Sequence, residues 1–369
     1  MIYVHVPFCK SRCIYCDFYS TTANRDWQRR YVEALIRETW NRQEEIKKAQ
    51  ADTIYIGGGS PSVLPMNALK QIFATLNDVC GGLDTLAECT IEANPDDVTE
   101  EWVQALRDTP VDRVSMGAQS MDNEMLCTLG RRHTAEQVYK AVERLRREGY
   151  ENISLDLMYG LPGQTIEGWE RDVHDLLAVG VPHISAYALQ VEEGTALCKR
   201  LREGSVASLP DDDDTAQMYE LLLDKADAAG YIHYEISNFA RSGYEAKHNS
   251  GYWNGKPYVG LGPGAHSYDG HRVRRSNSSN LAAYCSDETV PHEKEVLTDE
   301  ELYNETVLTR LRTRDGLDVT TLDDEQRKYT MKIAQKHIKR GMMTCEGSIL
   351  RLKREGIFVS NDIISDFML

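Results

Sequence analysis

Six short runs of β-forming residues, each followed by a turn and then by a stretch of helical periodicity, fill the first two thirds of this 369-residue chain. The candidate strands are Ile2–Val6, Thr53–Ile56, Cys89–Ala93, Arg113–Met116, Ile153–Met158 and His183–Ala188. Helical stretches follow at Tyr31–Ala49, Leu69–Val79, Glu101–Arg107, Ala135–Glu148 and Glu167–Val179. Strands separated by helices pair in parallel through crossover connections, so the alternation predicts an α/β fold on a parallel sheet. In the first helical stretch Val32, Leu35, Ile36 and Trp40 recur at spacings of three and four and are expected to share one buried face. The strands exit into Gly57-Gly58-Gly59, Asn94-Pro95, Gly117 and Gly160-Leu161-Pro162-Gly163, at the ends where α/β folds place ligands.

The regular alternation stops at a Pro-, Gly-, Asn- and Ser-rich segment, Ser237 to Ser279, and beyond Val290 the composition turns helical and charged. The expected organisation is a core over 1–236, an extension over 237–290 and a C-terminal domain over 291–369. Before that break, Asp211–Asp214 after Leu209-Pro210 reads as a helix entrance, since acidic residues suit the positive end of the helix dipole. The last segment pairs a helix, Tyr329–Gly341, with an expected strand–turn–strand of Ile349–Lys353, 354–356 and Ile357–Ser360, a winged-helix-like arrangement.

A net charge of −16 argues against a nucleic-acid scaffold, because phosphate binding needs neutralising cations. The exception is the stretch from Thr330 to Gly356, where seven Lys and Arg face two Glu; a DNA-binding regulator built on that tail is the third reading considered. No apolar run approaches the roughly 20 residues of a membrane span. The start, Met1-Ile2-Tyr3-Val4-His5-Val6-Pro7-Phe8, has neither the basic nor the apolar region of a secretory signal, so a cytoplasmic, reducing location is expected.

In such a compartment clustered cysteines suggest metal, and three of the nine are clustered: Cys9-x3-Cys13-x2-Cys16, directly after the first strand. Structural zinc normally takes four ligands, and no other Cys or His pair has the spacing to complete a finger. Three close thiolates suit a [4Fe-4S] cluster with one iron left open. The other cysteines, Cys80, Cys89, Cys127, Cys198, Cys285 and Cys345, are expected to be core thiols.

An open iron can bind a substrate or cofactor, and the cysteine loop resembles that of the radical SAM enzymes, a likeness that implies S-adenosylmethionine (SAM), which carries an ammonium, a carboxylate, a ribose diol and an adenine. The strand-end loops supply matching groups. Gly57-Gly58-Gly59-Ser60-Pro61 lets the backbone approach a methionyl amine, though a GGG also serves as a plain strand exit. Glu92 and Asp156 are carboxylates inside otherwise apolar strands, where an ionised group needs a partner. Gln119 can bond ribose hydroxyls or cap the turn after it; Arg131 can fork onto a carboxylate. Tyr187 can flank an adenine or pack in the core. Gly260-x-Gly262-Pro263-Gly264-Ala265-His266-Ser267 lacks the strand, helix and Lys-Ser/Thr of a P-loop and is expected near the cofactor.

Taken together, Tyr3–Tyr19, Gly57–Ser62, Glu92–Pro95, Ser115–Ser120, Leu129–Thr134, Asp156–Thr165 and His183–Thr195 resemble the HemN/HemW branch of radical SAM proteins over essentially the whole chain. The resemblance implies a six-unit partial TIM barrel, a cluster on Cys9, Cys13 and Cys16, and SAM contacts from Tyr3, Tyr15, Gly59, Ser60, Glu92, Gln119, Arg131 and Asp156. That branch holds an oxygen-independent coproporphyrinogen III dehydrogenase and a heme chaperone. The dehydrogenase subfamily has a further cysteine two positions past the third ligand and a long N-terminal extension; here that position is Phe18, and eight residues precede Cys9. His248-Asn249-x2-Tyr252-Trp253 matches the HNxxYW motif linked to heme in the chaperone subfamily. The resemblance therefore implies heme as a ligand besides the cluster and SAM, with heme-acceptor proteins and an electron donor as partners. It leaves open productive SAM cleavage, peripheral membrane association with acceptors, and a monomeric or homodimeric state.

Overall fold

The computed structural model describes residues 1–22, 24–286 and 289–369. Nine strands make one sheet: β1 (Ile2–Val6), β2 (Thr53–Gly58), β3 (Glu88–Ala93), β4 (Arg113–Gln119), β5 (Asn152–Tyr159), β6 (His183–Ala188), β7 (Ile232–Glu235), β8 (Asn238–Ala240) and β9 (Val259–Leu261). Its order is β7-β8-β6-β5-β4-β3-β2-β1-β9, with β1 to β6 parallel and in chain order. This is the expected six-unit barrel. The short hairpin β7–β8 extends it antiparallel beyond β6, and β9 pairs parallel to β1 at the other edge.

The helices wrapping the sheet are α1 (Arg25–Asn41), α2 (Gln43–Ala49), α3 (Met66–Cys80), α4 (Glu100–Leu106), α5 (Asn123–Thr128), α6 (Ala135–Arg147), α7 (Ile166–Val179), α8 (Ala196–Arg202), α9 (Asp212–Ala228) and α10 (Lys247–Trp253). Their ends carry the expected chemistry. Asn24 caps α1, Thr134 and Gln137 form a capping box on α6, Asp211 caps α9, and Gly81 and Gly180 end α3 and α7 in the left-handed conformation.

Two expectations for the first helix need correction. The stretch 31–49 is not continuous, because Arg42 leaves helical geometry (φ −107°, ψ 17°) and turns its guanidinium inward. It donates to Glu38 Oε1 at 3.0 Å, the Gly260 carbonyl at 2.6 Å and Ser267 Oγ at 2.9 Å. Glu38 also accepts from Gly262 N, Asn277 Nδ2 and Tyr284 OH, so one buried carboxylate ties α1 to the Gly-rich 260–267 loop. Trp40 lies off the buried face of Val32 and Leu35 and is 43% exposed.

Strand register sorts the sheet into two faces. Ile2, Val4, Val6, Ile54, Ile56, Cys89, Ile91, Val114, Met116, Ile153, Leu155 and Ile184 form the apolar face, packed with Leu35, Leu69, Val138 and Val173 of the helices. Alternate positions, Tyr3, His5, Tyr55, Thr90, Glu92, Arg113, Ser115, Ser154, Asp156, His183 and Ser185, line the other face. Closed barrels fill that space with branched apolar residues. Here it is polar, as a ligand chamber requires.

After β9, β10 (His266–Tyr268), β11 (Val273–Asn277) and β12 (His292–Val296) form a second sheet, with α11 (Leu281–Ser286) between the last two. The remainder, α12 (Asp299–Arg310), β13 (Leu317–Asp318), α13 (Asp324–Lys339), β14 (Met343–Glu346), β15 (Ile349–Leu352), α14 (Arg354–Ile357) and α15 (Ser360–Ser365), has its own core of Tyr303, Val307, Leu350, Ile363 and Phe367. The expected wing is displaced. Its hairpin runs from β14 through Gly347 (φ 62°) to β15, and 354–357 is helical. No described helix is long and apolar enough to cross a membrane.

Candidate functional site

The loop that leaves β1 carries Cys9, Cys13 and Cys16, all partly exposed, across the C-terminal mouth of the barrel. Backbone hydrogen bonds fix it from several sides. Gly59 N donates to Val6 O at 2.8 Å and Ser60 N to Phe8 O at 2.7 Å, Ile14 N reaches Leu129 O at 3.2 Å, and Leu197 N reaches Ile14 O at 2.8 Å. Lys10 pairs with Asp97, which also accepts from Ser62 Oγ at 3.0 Å and Arg132 at 3.2 Å. Tyr15 packs with Leu129, Met158 and Leu161 in a small apolar cluster of its own.

The glycine loop is shaped by what it touches. A Cβ on Gly59 would lie 2.6 Å from the Phe8 carbonyl oxygen, and Gly58 has φ +112° with the His5 ring 2.6 Å from where its Cβ would stand. Gly59→Ala therefore forces the glycine loop off the cysteine loop. We expect a loss of about 1–3 kcal/mol, the range for overpacking, and lower iron content after reconstitution. Urea unfolding and iron assay check this; both values unchanged would refute the contact.

Glu92 stands at the centre of the mouth. It accepts from Tyr55 OH at 2.7 Å and from Gly58 N at 3.0 Å. Burial pushes its pKa up to about 7, against the two hydrogen bonds, with Asp156 adding to the rise. Asp156, in register with Gly117 and Ser185, is raised to about 6, again by burial, and its Oδ1 has no partner. Between about pH 4.5 and 7 the folded chain holds a proton on Glu92 that the unfolded chain releases, so this group lowers stability as pH rises. Wild type should lose stability relative to Glu92→Gln across that window, measured by urea midpoints of the metal-free chain; a pH-independent difference would refute it.

Arg131 follows Leu129 and Gly130 (φ 75°) and reaches into the same space. Its Nη2 donates to Asn94 Oδ1 and Gly117 O, both at 2.6 Å, its Nη1 lies 3.4 Å from Cys13 Sγ, and its buried Nε has no partner. Asn94 Nδ2 in turn donates to Ser60 Oγ at 2.6 Å. Gln119 sits at a bulge between β4 and β5 with φ +69°, strain in a non-glycine residue that folds its side chain back over Gly117. Tyr3 OH meets His5 Nδ1 at 3.0 Å beneath the loop. Tyr187 is 41% exposed at the end of β6.

The structure thus brings Tyr15, Gly58, Gly59, Ser60, Glu92, Gln119 and Arg131 to the mouth that the cysteine loop crosses, with Asp156 on the inner face of β5; Tyr3 lies deeper, level with Tyr55 near the N-terminal ends of the strands, and Tyr187 stands at the end of β6. Sequence reasoning read Asn94 only as part of a strand-end turn, and it missed Tyr55, Arg113 and Ser185 on the polar inner face. The signal for the last three was the period-two alternation of polar residues along each strand.

The donor set fits an iron–sulfur cluster. Burial holds the Cys9 thiol up at about 11 with Cys16 and Cys13 adding to the rise, so a bound cation is what would make thiolates favourable. Among the described residues no three His, Cys, Asp or Glu converge as ligands of one ion, and a cubane takes one thiolate at each of three separate corners. Of the remaining cysteines, Cys89 and Cys198 are buried as expected, whereas Cys127 is exposed on α5.

His248, Asn249, Tyr252 and Trp253 lie at the other end of the barrel. Their helix, α10, closes the N-terminal mouth: His248 Nδ1 meets Thr53 Oγ1 at 2.9 Å and Nε2 meets Tyr252 OH at 3.1 Å. His248 is 1% exposed, and burial pushes its pKa down to about 3, so the ring is neutral. With both nitrogens bonded and no exposed face, the motif as folded does not fit heme. The Gly-rich 260–267 loop sits beside the cysteine loop, where a Cβ on Gly264 would lie 3.7 Å from the Tyr19 ring, and its amide at Gly262 is committed to Glu38.

A parallel six-strand barrel with a Cys-x3-Cys-x2-Cys loop at its C-terminal mouth defines a radical SAM protein, and the Radical SAM superfamily profile matches residues 3–176. The HemN C-terminal domain profile matches 297–359. The chain belongs to the HemN/HemW family of radical SAM proteins. It is 36% identical to the heme chaperone HemW of Lactococcus lactis, covering 100% of this chain and 97% of that protein. To the heme chaperone HemW of Bacillus subtilis it is 34% identical, covering 99% and 98%. In fold it is similar to the coproporphyrinogen III oxidase HemN of Escherichia coli, with a TM-score of 0.83 and 19% identity over 99% of this chain and 89% of that one.

Proposed function

We propose that this protein is a heme chaperone that binds one [4Fe-4S] cluster, SAM and heme and passes heme to acceptor hemoproteins. The observation that carries the radical SAM half is that the loop bearing the three cysteines lies against the strand-end loops, with Arg131 Nη1 3.4 Å from Cys13 Sγ and the buried Arg131 Nε and Asp156 Oδ1 unpartnered beside it. Cys9, Cys13 and Cys16 take three irons of the cluster. Arg131 takes the methionyl carboxylate, the Gly58-Gly59 backbone and Glu92 receive the ammonium, and Gln119 and Asp156 bond the ribose. Tyr3 and Tyr15 shape the pocket, Ser60 orients Asn94 on Arg131, and Tyr187 flanks the adenine. When bound, the cluster and SAM supply one-electron chemistry, with electrons from an external donor. The chain's own residues orient SAM, with Glu92 and the Gly58-Gly59 backbone as the acceptors for its ammonium.

The heme half is supported by the names of full-length relatives and by the HNxxYW sequence of His248, Asn249, Tyr252 and Trp253, whose folded geometry does not itself offer a heme ligand. Phe18, 66% exposed where the dehydrogenase subfamily carries a cysteine, counts against coproporphyrinogen turnover. Anaerobic reconstitution followed by SAM and heme titration tests the whole. Arg131→Lys keeps the charge but loses the fork, and should weaken SAM binding roughly 10–100-fold, the worth of a charge-assisted hydrogen bond. A Soret shift on heme addition with no decarboxylation of coproporphyrinogen III is the expected pattern. Robust decarboxylation, or no Soret shift, would overturn the chaperone reading.

A further inference from the structure

One row of the sheet carries free oxygens past the residues assigned to SAM. Strand register sets Gly117, Asp156, Ser185, Asn238 and Glu235 side by side across β4, β5, β6, β8 and β7. Directly paired residues share a sheet face, so Asn238 and Glu235 lie on the polar inner face with Asp156. Both are buried, at 4% and 2% exposure. Glu235 Oε1 is committed, accepting from Asn238 Nδ2 and from Ser237 N at 3.3 Å, whereas Glu235 Oε2 and Asn238 Oδ1 make no hydrogen bond. Because the Asn238 amide nitrogen is turned to the carboxylate, its carbonyl oxygen is the atom left over. Buried acceptors without donors are costly, and two on neighbouring strands mark a place for a donor that the chain does not supply.

The cation on the adjoining segment does not fill that place. Residues 312–314 run along β7, with Ile236 N donating to Arg312 O at 3.0 Å and Arg314 N to Tyr234 O at 2.9 Å. Arg312 gives its Nη2 to Asn361 Oδ1 at 2.7 Å, and its buried Nε has no partner. Burial pushes the Glu235 pKa up to about 7, against the bonds from Asn238 and Ser237 N and the Arg312 charge. The other titratable groups facing it, Tyr187 of β6, Tyr219 of α9 and Tyr234 of its own strand, are themselves raised by burial and stay neutral. Neither ligand placed above has a group for the spot. The SAM ammonium goes to Glu92 and the Gly58-Gly59 backbone, and the carboxylates of heme would be repelled by a buried carboxylate.

We propose that Glu235 and Asn238 form a subsite for a third ligand, an aliphatic primary ammonium whose N–H groups fill the two free oxygens. An ammonium answers both needs at once, donors for two acceptors and a positive charge for a carboxylate that has none bonded to it. A hydroxyl meets only the first. Binding takes the ionised form of Glu235, so a proton leaves as the amine enters, and apparent affinity should fall about tenfold for each pH unit below about 7.

The test uses the anaerobically reconstituted full chain with n-propylammonium as probe, and n-propanol and propionate as controls of like size. Urea midpoints and ligand-observed NMR read the binding. Propylammonium alone should bind, with the stated pH dependence and with the same affinity whether or not SAM is present. Glu235→Gln keeps an oxygen for Asn238 but loses the charge, and should weaken the amine roughly tenfold or more and remove the pH dependence. Asn238→Ala leaves the carboxylate, and should weaken the amine about tenfold while keeping the pH dependence. That variant and the wild-type pH profile carry the test if Glu235→Gln fails to fold. Equal binding of propanol or propionate, a pH-independent affinity, unaltered binding in folded Glu235→Gln, or displacement by SAM would overturn the subsite. A loss of SAM affinity in Glu235→Gln would give the two oxygens to SAM and overturn it as well. Failure of SAM or heme to bind bears on the readings above and not on this one.

Discussion

Replacing Cys9, Cys13 and Cys16 by serine should remove the cluster, dropping iron and labile sulfide after anaerobic reconstitution by far more than the 10–100-fold in affinity that even outer-shell changes cost. The reason is chemical. A serine hydroxyl at neutral pH is neither the soft donor nor the anion that iron in a sulfide cluster requires. The loop geometry should survive, because its anchors at Gly59, Ser60, Leu129, Thr21 and Leu197 are backbone hydrogen bonds independent of the thiols. The triple variant should therefore keep its far-ultraviolet circular dichroism and much of its urea midpoint while losing the charge-transfer absorption. Cys345→Ser, in the β14–β15 hairpin of the C-terminal domain, should retain full iron. Equal iron in the triple variant and wild type would refute the assignment.

Glu38→Ala should cost about 3–5 kcal/mol, the penalty for breaking a buried pair and leaving its partner charge behind. Arg42 is 6% exposed and would keep the neutral Gly260 carbonyl and Ser267 Oγ, with the half-exposed Glu45 as its remaining carboxylate partner. Gly262 N, Asn277 Nδ2 and Tyr284 OH would lose their acceptor as well. Glu38→Gln keeps one carbonyl oxygen and should cost less. Urea unfolding of the metal-free chain separates the three proteins. An alanine variant within about 1 kcal/mol of wild type, typical of exposed pairs, would show that this hub is not cooperative. Since the hub ties the 260–267 loop beside the cysteine loop, the alanine variant should also hold less iron.

The parallel barrel was readable because each strand is bounded by turn residues and followed by a helix of clear periodicity. Observed starts and predicted starts agree within a residue for all six core strands, as with β1 at Ile2 and β3 at Glu88. The ends were less readable: β4 runs on through Gly117 to Gln119, because the bulge and the left-handed Gln119 are tertiary features with no local sequence signature. The same holds for the break at Arg42, where a good helix former leaves the helix to satisfy Glu38 and two distant groups. The wing was misplaced because Ile357–Ser360 has β-forming residues but no partner strand, while Met343–Glu346 before Gly347 does. At the site, residue types on loops were legible singly, since a buried carboxylate or a GGG turn is unusual wherever it occurs. Which mouth a motif closes was not. His248-Asn249-x2-Tyr252-Trp253 carries no mark of barrel end, and its placement under Thr53 and Glu88 depends on the path of the whole chain.

The most direct test of the account is Mössbauer spectroscopy of the anaerobically reconstituted chain, labelled with 57Fe, before and after SAM. The account predicts four irons with sulfide, of which one changes its isomer shift and quadrupole splitting on SAM addition, and that this change is lost or weakened in Arg131→Lys. A cluster whose four irons ignore saturating SAM, or a chain that takes up iron without sulfide, would contradict it.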